Sequence, residues 1–194
     1  MRQSFVFSCL AAVGALAAPQ AITVARQSPP TDEEFGLTMT VNGAYVSLNA
    51  VSNGTEDLIL EAQRLSVYPG TPAYLTGTSP AAALSFDLTD STTVPAGVYG
   101  VLVPSVGDNY GYATPVLARK DYEEFEFSVT NGTISHRLTA ALQSWFACLD
   151  TVNGEDNYVL KWGVFQSNGS PPAGCATTTV QQNFNVPGGA RPRR

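Results

Sequence analysis

The sequence contains few basic and few metal-binding side chains. Lysine occurs only at Lys120 and Lys161, histidine only at His136, and charged residues make up 13% of the 194 positions. With a net charge of -6, the chain lacks the positive patch that contacts to nucleic-acid phosphates require, so we expect no nucleic-acid partner. One histidine cannot supply the usual ligand set of a zinc site, and we expect no metal and no cofactor.

Long hydrophobic runs are absent after the N-terminus. The run Phe5–Ala18 follows Arg2 and closes on small residues, which is the pattern of a secretory signal peptide. We therefore expect removal of residues 1–18 and a secreted protein, either extracellular or in a cell wall. No later segment reaches the length of a membrane span, and the chain ends on Arg194 instead of a hydrophobic tail. No membrane partner is expected.

The length of the remaining chain fits one domain. Residues 19–34 are rich in proline and unpatterned, so we predict a flexible leader. Residues 35–187 are predicted to form a single β domain, and residues 188–194 a basic flexible tail. We expect a monomer.

Cysteine is scarce, and its distribution predicts one covalent bond. Of three cysteines, Cys9 leaves with the signal peptide, so Cys148 and Cys175 remain as an even pair in an oxidising route. We predict a disulfide between them, which would stabilise the fold by roughly 3 to 4 kcal/mol through the loop that it closes. The chain has no Cys-x-x-Cys motif, so a redox-active or metal-binding pair is not favoured.

Three glycosylation sequons agree with secretion. They begin at Asn53, Asn131 and Asn168. Each asparagine is followed by glycine, a tight-turn signal, so we expect all three at loop tips. Pro171 follows the third sequon directly and makes Asn168 the least favoured acceptor.

Apolar and polar residues alternate in short runs, which is typical of antiparallel strands. In Glu124–Val129, Phe125 and Phe127 are predicted to share the inner face, and a turn at Asn131 leads into Thr133–Leu138. Residues Leu58–Leu65 also fit one face of a short helix, and residues Tyr68–Pro80 fit a packed surface loop. Further strands are predicted at Phe35–Val41, Ala44–Leu48, Leu65–Tyr68, Ala83–Leu88, Val98–Val103, Tyr158–Phe165 and Thr177–Phe184.

Seven to ten strands without a long helix predict an all-β fold, an antiparallel β-sandwich or barrel-like sandwich. Trp145 and Trp162 fall within strand patterns near the cysteines, and we expect both to pack in the core.

Serine hydrolases and glycoside hydrolases each need a defined set of side chains. Serine hydrolysis would depend on His136 as base, and no Gly-x-Ser-x-Gly elbow exists, so a surface or partly packed histidine is expected. A glycoside hydrolase needs two carboxylates across a cleft. Glu124 and Glu126 are the first candidates, about 7 Å apart along one strand face. An outward polar face explains the same two residues, so we expect no enzymatic activity.

Sugar binding without chemistry needs exposed aromatic rings beside hydrogen-bonding groups. The segment Asp108–Tyr112 has this composition, which makes Tyr110 and Tyr112 the candidate glycan platform. The segment Tyr68–Tyr74 has a similar composition. Loop tyrosines also commonly cover the edge of a core, and that alternative stays open here.

The C-terminal half also resembles a known family. The resemblance is carried by Asn131–Ile134, Trp145–Leu149, Leu160–Phe165 and Asn168–Cys175, in this order. These segments resemble the secreted fungal cell-wall protein PhiA and IgE-binding protein family. The resemblance implies a secreted, often glycosylated, wall-associated β protein without catalytic residues or cofactor, with roles in conidiation or development.

Together these observations predict a non-catalytic structural or interaction protein of a fungal cell wall, linked to development. Its expected partner is a cell-wall polysaccharide or a wall protein. An extracellular glycan-binding module is the alternative, and a glycoside hydrolase is the third hypothesis.

Overall fold

A computed structural model describes residues 34–64, 70–78, 80–89, 94–137 and 142–185. All regular secondary structure within these ranges is β, and all strand pairings are antiparallel, which confirms the predicted fold class. The signal peptide at 1–18, the leader up to residue 33, the strand Leu65–Tyr68 and the tail at 188–194 lie outside the described residues.

The described residues form fourteen strands, more than the seven to ten that were predicted. The strands are β1 Phe35–Val41, β2 Ala44–Ser52, β3 Leu58–Arg64, β4 Pro72–Thr78, β5 Ala81–Leu88, β6 Gly97–Leu102, β7 Ala113–Pro115, β8 Leu117–Lys120, β9 Phe127–Thr130, β10 Thr133–His136, β11 Gln143–Val152, β12 Glu155–Val164, β13 Cys175–Thr177 and β14 Val180–Asn183. The number is higher because β3, β4, β7 and β8 lie where no strand was predicted and the predicted strand Thr177–Phe184 overlaps both β13 and β14.

Three hairpins turn on Asn-Gly pairs. Both residues of each pair have positive φ, as the two-residue turns that match the twist of antiparallel strands require. The pairs are Asn42-Gly43 between β1 and β2, Asn131-Gly132 between β9 and β10, and Asn153-Gly154 between β11 and β12. These turns fix the register of the three hairpins locally.

The strand pairings form a ring. Strand β1 pairs with β14, β14 with β10, β10 with β9, and β9 with β5. Strand β5 then pairs with β4, and β4 pairs with β1, which closes the ring. Strands β6 and β8 continue from β5, and β8 pairs with β3, which is joined to β1 through β2. Closing the ring in this way covers strand edges that would otherwise be free to pair with other chains.

The β11–β12 hairpin extends the sheet beyond β3. Val159 of β12 pairs with Glu61 of β3, while β13 and β7 flank the hairpin on β11 and β12. Trp145 and Trp162 lie directly opposite each other, both buried, with ring centroids 4.7 Å apart and edge to face. The prediction that both tryptophans pack in the core is confirmed.

The predicted disulfide is present. Cys148 of β11 and Cys175 of β13 are register partners on adjacent strands, and the bond joins residues separated by 27 positions. It ties the short β13 to the long β11–β12 hairpin.

Two predictions of local structure were wrong. The possible helix at Leu58–Leu65 forms strand β3 instead, because its backbone pairs with β2 from Leu58 to Arg64 and this pairing outweighs helix propensity. The predicted loop at Tyr68–Pro80 contains β4, which pairs with β1 and β5.

The predicted strand at Glu124–Val129 begins only at Phe127. Phe125 was expected on the inner face, yet it is 45% exposed, whereas Phe127 is fully buried. The alternation is lost because residues 122–126 form no strand and pass over β6. The backbone oxygen of Tyr122 lies 1.9 Å from where a Cβ at Gly100 would be.

The described part of the chain contains no helix with the length and apolar character that a membrane crossing needs.

Candidate functional site

The candidate site is the loop Gly107–Tyr112 before β7, which we call the tyrosine turn. Tyr110 and Tyr112 are 59% and 50% exposed, among the most exposed large hydrophobic side chains of the described residues. The structure therefore places both predicted platform side chains at the surface of the described residues.

Backbone hydrogen bonds hold the tyrosine turn against the end of β12. The Gly111 N–H donates to the carbonyl oxygens of Val164 at 3.1 Å and Phe165 at 3.2 Å, and the Val164 N–H donates to the Tyr112 oxygen at 2.8 Å. Gly111 has a φ of +72°, a conformation that glycine adopts without strain. The two tyrosines thus extend from a fixed backbone.

The close approach of this turn to β12 depends on Gly163. A Cβ at this position would lie 2.5 Å from the Tyr112 oxygen and 2.7 Å from the Ala113 Cβ, too near for any other residue without movement. Gly163 also pairs with Ala113 in the β7–β12 ladder. The absence of a side chain at Gly163 therefore allows the tyrosine turn to lie close to β12.

Neither Tyr110 nor Tyr112 makes a side-chain hydrogen bond or ring contact within the described residues. A tyrosine ring can stack on an apolar face, and its hydroxyl can both donate and accept a hydrogen bond. The two side chains are therefore free to contact a ligand without breaking an internal interaction.

The segment at Leu142 lies at the same end of β12 as the tyrosine turn. The Phe165 N–H donates to the Leu142 oxygen at 3.0 Å, and the Gln143 Nε2 donates to the Gly107 oxygen at 3.1 Å. The Leu142 side chain is exposed. Two loops from different parts of the chain thus meet at one end of β12.

All three sequon asparagines are exposed and lie in turns or loops, as predicted. The Asn53 Oδ1 accepts hydrogen bonds from the Thr55 N–H at 3.2 Å and hydroxyl at 2.6 Å. The Asn168 Oδ1 accepts from the Ser170 N–H at 3.0 Å. Asn131 occupies the β9–β10 turn with a φ of 51°. Their glycosylation stays a prediction.

Glu124 and Glu126 do not form a pair across a cleft. The Glu124 Oε2 accepts the Val103 N–H at 3.0 Å, and its Oε1 lies 3.3 Å from the His136 Nε2. Glu126 lies near Arg137 instead, with 3.7 Å between its Oε2 and the arginine Nε. Their side chains are 12% and 31% exposed, so Glu124 points inward and the prediction of a shared outward face was wrong.

His136 was expected on the surface or partly packed, and this was wrong. It is 2% exposed and lies between the rings of Phe127 and Trp162, with centroid distances of 5.3 and 5.6 Å. The cause is the β9–β10 register, which places His136 opposite the buried Phe127. Glu124 provides the polar contact that a buried imidazole needs.

Comparison with known proteins bears on the family. Residues 25–184 match the family described as Domain of unknown function (DUF7907). The chain belongs to this family. No curated protein matches it. No solved structure matches it either. The resemblance to the PhiA family therefore stays a prediction.

Sequence reasoning missed a polar cluster of this DUF7907 domain. The Asn157 Nδ2 donates to the Glu61 Oε1, and burial is the main cause that raises the pKa of Glu61. On β11 and β12, the Lys161 Nζ lies 2.8 Å from the Asp150 Oδ2 and lowers the pKa of that carboxyl. The pairing of β3 with β12 places Glu61 and Asn157 on neighbouring strands, and no local sequence signal predicts that pairing.

The polar cluster is not arranged to hold a metal. Among the described residues, no group of three or more histidine, cysteine, aspartate or glutamate side chains has a metal-binding arrangement. Lys161 neutralises Asp150, and Asn157 satisfies one oxygen of Glu61. These contacts join β3, β11 and β12.

Proposed function

We propose that this chain is a secreted, non-catalytic, wall-associated interaction domain that binds cell-wall polysaccharide through the tyrosine turn. The observation that carries the proposal is the geometry of Tyr110 and Tyr112. Both are exposed, without an internal side-chain partner among the described residues, and attached to a backbone that is held on β12.

A fixed backbone favours binding, because less conformational entropy is lost when the ligand binds. Each ring offers an apolar face to the C–H face of a sugar, and each hydroxyl offers a donor and an acceptor to sugar hydroxyls. The exposed Leu142 lies at the same end of β12 and offers further apolar area to a ligand that extends beyond the rings. A polysaccharide, which alternates apolar faces with hydroxyls, fits this surface better than an anionic or purely apolar ligand.

The surrounding charge supports the same ligand class. The chain has a net charge of -6, and Asp108 of the tyrosine turn is exposed. An acidic surface repels nucleic acid and anionic lipid, whereas a neutral glycan carries no charge to be repelled.

Hydrolysis is the weaker alternative. Glu124 accepts a backbone N–H and contacts the buried His136, so its carboxylate has structural partners. Two carboxylates facing one another across a cleft are required for glycoside hydrolysis, and Glu124 and Glu126 do not provide them.

The test is retention of the purified protein on insoluble chitin, β-glucan and cellulose, with released reducing sugar measured in the same tubes. We expect retention on one of these polysaccharides without sugar release. Replacing both Tyr110 and Tyr112 by alanine should weaken retention about tenfold, if each ring contributes about as much as an aromatic pair.

Tyr45→Ala is the matched control, since Tyr45 is 56% exposed on β2 and lies outside the tyrosine turn. Equal retention of the wild type and the double tyrosine variant, or retention on none of the three polysaccharides, would contradict the proposal. Release of reducing sugar would favour the hydrolase instead.

A further inference from the structure

The third sequon lies beside the tyrosine turn. The Gly111 N–H donates to the Phe165 oxygen at 3.2 Å, and a Cβ at Gly111 would lie 3.2 Å from the Cγ of Gln166. Gln166 is the first residue of the loop that carries Asn168. The tyrosine turn and this loop are therefore in direct contact.

The loop that carries Asn168 is compact. The Gly169 N–H donates to the Gln166 oxygen at 2.8 Å, which closes a four-residue turn with Asn168 in its third position. The Gln166 N–H donates to the Ser170 oxygen at 2.8 Å, and the Gln166 Nε2 donates to the Pro171 oxygen at 2.6 Å. Gln166 thus links Asn168 to the tyrosine turn over a span of only a few residues.

The acceptor atom for glycosylation is accessible. Asn168 is exposed, and its Oδ1 accepts the Ser170 N–H at 3.0 Å. Its Nδ2, the atom to which a glycan would be attached, donates no hydrogen bond within the described residues. A sugar on this nitrogen would start two residues from Gln166, whose side chain contacts the turn that carries the two exposed tyrosines.

From this juxtaposition we propose that an N-linked glycan on Asn168 covers Tyr110 and Tyr112, so that occupancy of this sequon controls access of external polysaccharide to the tyrosine turn. The control of binding rests on the function proposed above, whereas the covering of the tyrosines does not. Pro171, directly after the sequon, keeps occupancy low and the surface open.

The covalent step is a transfer from a lipid-linked oligosaccharide. The Nδ2 of Asn168 forms a bond to C1 of the first sugar, the bond from C1 to the lipid diphosphate breaks, and the amide nitrogen loses one proton. The diphosphate leaves with the bonding electron pair, and no oxidant or reductant takes part.

The sequon at Asn53 serves as an internal comparison. The Asn153 Nδ2 donates to the Ser52 oxygen at 2.9 Å, which places the neighbouring Asn53 beside the tip of the β11–β12 hairpin. The tyrosine turn lies at the opposite end of β12, at Val164. A glycan on Asn53 is therefore separated from the turn by the length of β12, and Asn53→Gln is the control for loss of a sequon.

The experiment uses the full chain secreted from a eukaryotic host that attaches N-glycans. Pro171→Ala should raise occupancy of Asn168, measured by mass spectrometry of the intact protein and its peptides. The backbone oxygen that accepts from Gln166 is retained in this variant. The double variant Pro171→Ala with Ser170→Ala removes the sequon but keeps the Asn168 side chain and its contact with the residue 170 N–H, and it separates the two effects.

Two measurements then follow. The first is retention on the three insoluble polysaccharides, which should be about tenfold weaker for the glycosylated Pro171→Ala protein than for the double variant. Enzymatic removal of the glycan should restore it. The second is the rate of tyrosine nitration, which should fall severalfold at Tyr110 and Tyr112 and stay unchanged at the equally exposed Tyr45.

Each outcome is decisive. Complete absence of glycan from Asn168 in the wild type overturns the inference, as does unchanged nitration of Tyr110 and Tyr112 in the glycosylated Pro171→Ala protein. Nitration protection without retention of any form on polysaccharide shows that the glycan covers the tyrosines while the proposed function fails. If the glycan protects Tyr110 and Tyr112 from nitration but the Pro171→Ala protein and the double variant are retained equally, the proposed control of binding is wrong.

Discussion

At the scale of single residues, the contacts of Glu124 explain why a carboxylate in an alternating sequence is not a surface group. One oxygen accepts the Val103 N–H and the other lies next to the buried His136. Val103 follows β6 and His136 ends β10, so the two contacts link segments that are distant in sequence. A buried polar group of this kind needs its partners.

Replacing Glu124 by alanine is expected to lower the free energy of unfolding by about 1 to 3 kcal/mol, because the Val103 N–H and His136 would lose a buried acceptor. Urea unfolding measures the change. Glu123→Ala is the matched control and should change stability by less than about 0.5 kcal/mol, since Glu123 is exposed and its side chain makes no hydrogen bond or ion pair among the described residues. Equal losses for the two variants would contradict this assignment.

The burial of Glu61 predicts that the free energy of unfolding depends on pH. Burial raises its pKa, so the folded protein binds this proton more tightly than the unfolded chain does. The free energy of unfolding therefore decreases as the pH rises from the ordinary glutamate pKa through the raised pKa of Glu61 in the folded protein. Protonation of Glu61 stabilises the fold fully only at a pH below the ordinary glutamate pKa.

Glu61→Gln removes the charge and keeps an oxygen for Asn157. We expect this variant to exceed the wild type in stability at neutral pH and to lose the advantage in acid. Urea unfolding across the pH range measures it, with the exposed Glu123→Gln as control. A neutral-pH stability below that of the wild type would show that the ionised carboxylate stabilises the fold.

At the scale of elements, turns were predictable and strand boundaries were less so. The Asn-Gly turn at Asn131 was predicted from its two residues, and β1 has the predicted bounds Phe35–Val41. Leu58–Arg64 became a strand because β2 supplies a partner along its whole length. The position of the tyrosine turn also depends on a strand, because its backbone is hydrogen-bonded to the end of β12.

Gly163→Ala tests that attachment. The added methyl group would meet the Tyr112 oxygen and the Ala113 Cβ, so the turn must move away from β12. We expect a loss of about 1 to 3 kcal/mol in the free energy of unfolding and faster hydrogen exchange at the Gly111 and Val164 amides. Ser167→Ala, in the exposed loop after β12, is the control. Unchanged exchange at both amides would mean that the turn is held by other contacts.

At the scale of the whole molecule, the ring of strands and the disulfide act on different parts of the chain. The ring joins strands that are far apart in sequence, such as β1 and β14. The bond between Cys148 and Cys175 secures only β13 to β11, at the flank of the sheet. Removal of the bond should therefore lower stability without changing the fold.

Replacing both Cys148 and Cys175 by alanine should lower the free energy of unfolding by roughly 3 to 4 kcal/mol, since a long loop is released in the unfolded chain. Thermal or urea unfolding measures the loss, and the reduced wild type should match the double variant. A free thiol on Cys175 in the purified, non-reduced protein would contradict the bond.

The sequence by itself predicted the all-β class, the Asn-Gly hairpin turn at Asn131, the Cys148–Cys175 bond and the candidate pair Tyr110 and Tyr112, because each depends on local pattern or on simple counting. Only the tertiary structure decided which way Glu124 and His136 point, that Glu61 contacts Asn157, and that Gln166, in the loop that carries Asn168, contacts the tyrosine turn. These features depend on the register and order of strands distant in sequence. That register results from packing and backbone pairing over the whole sheet, which no short segment encodes.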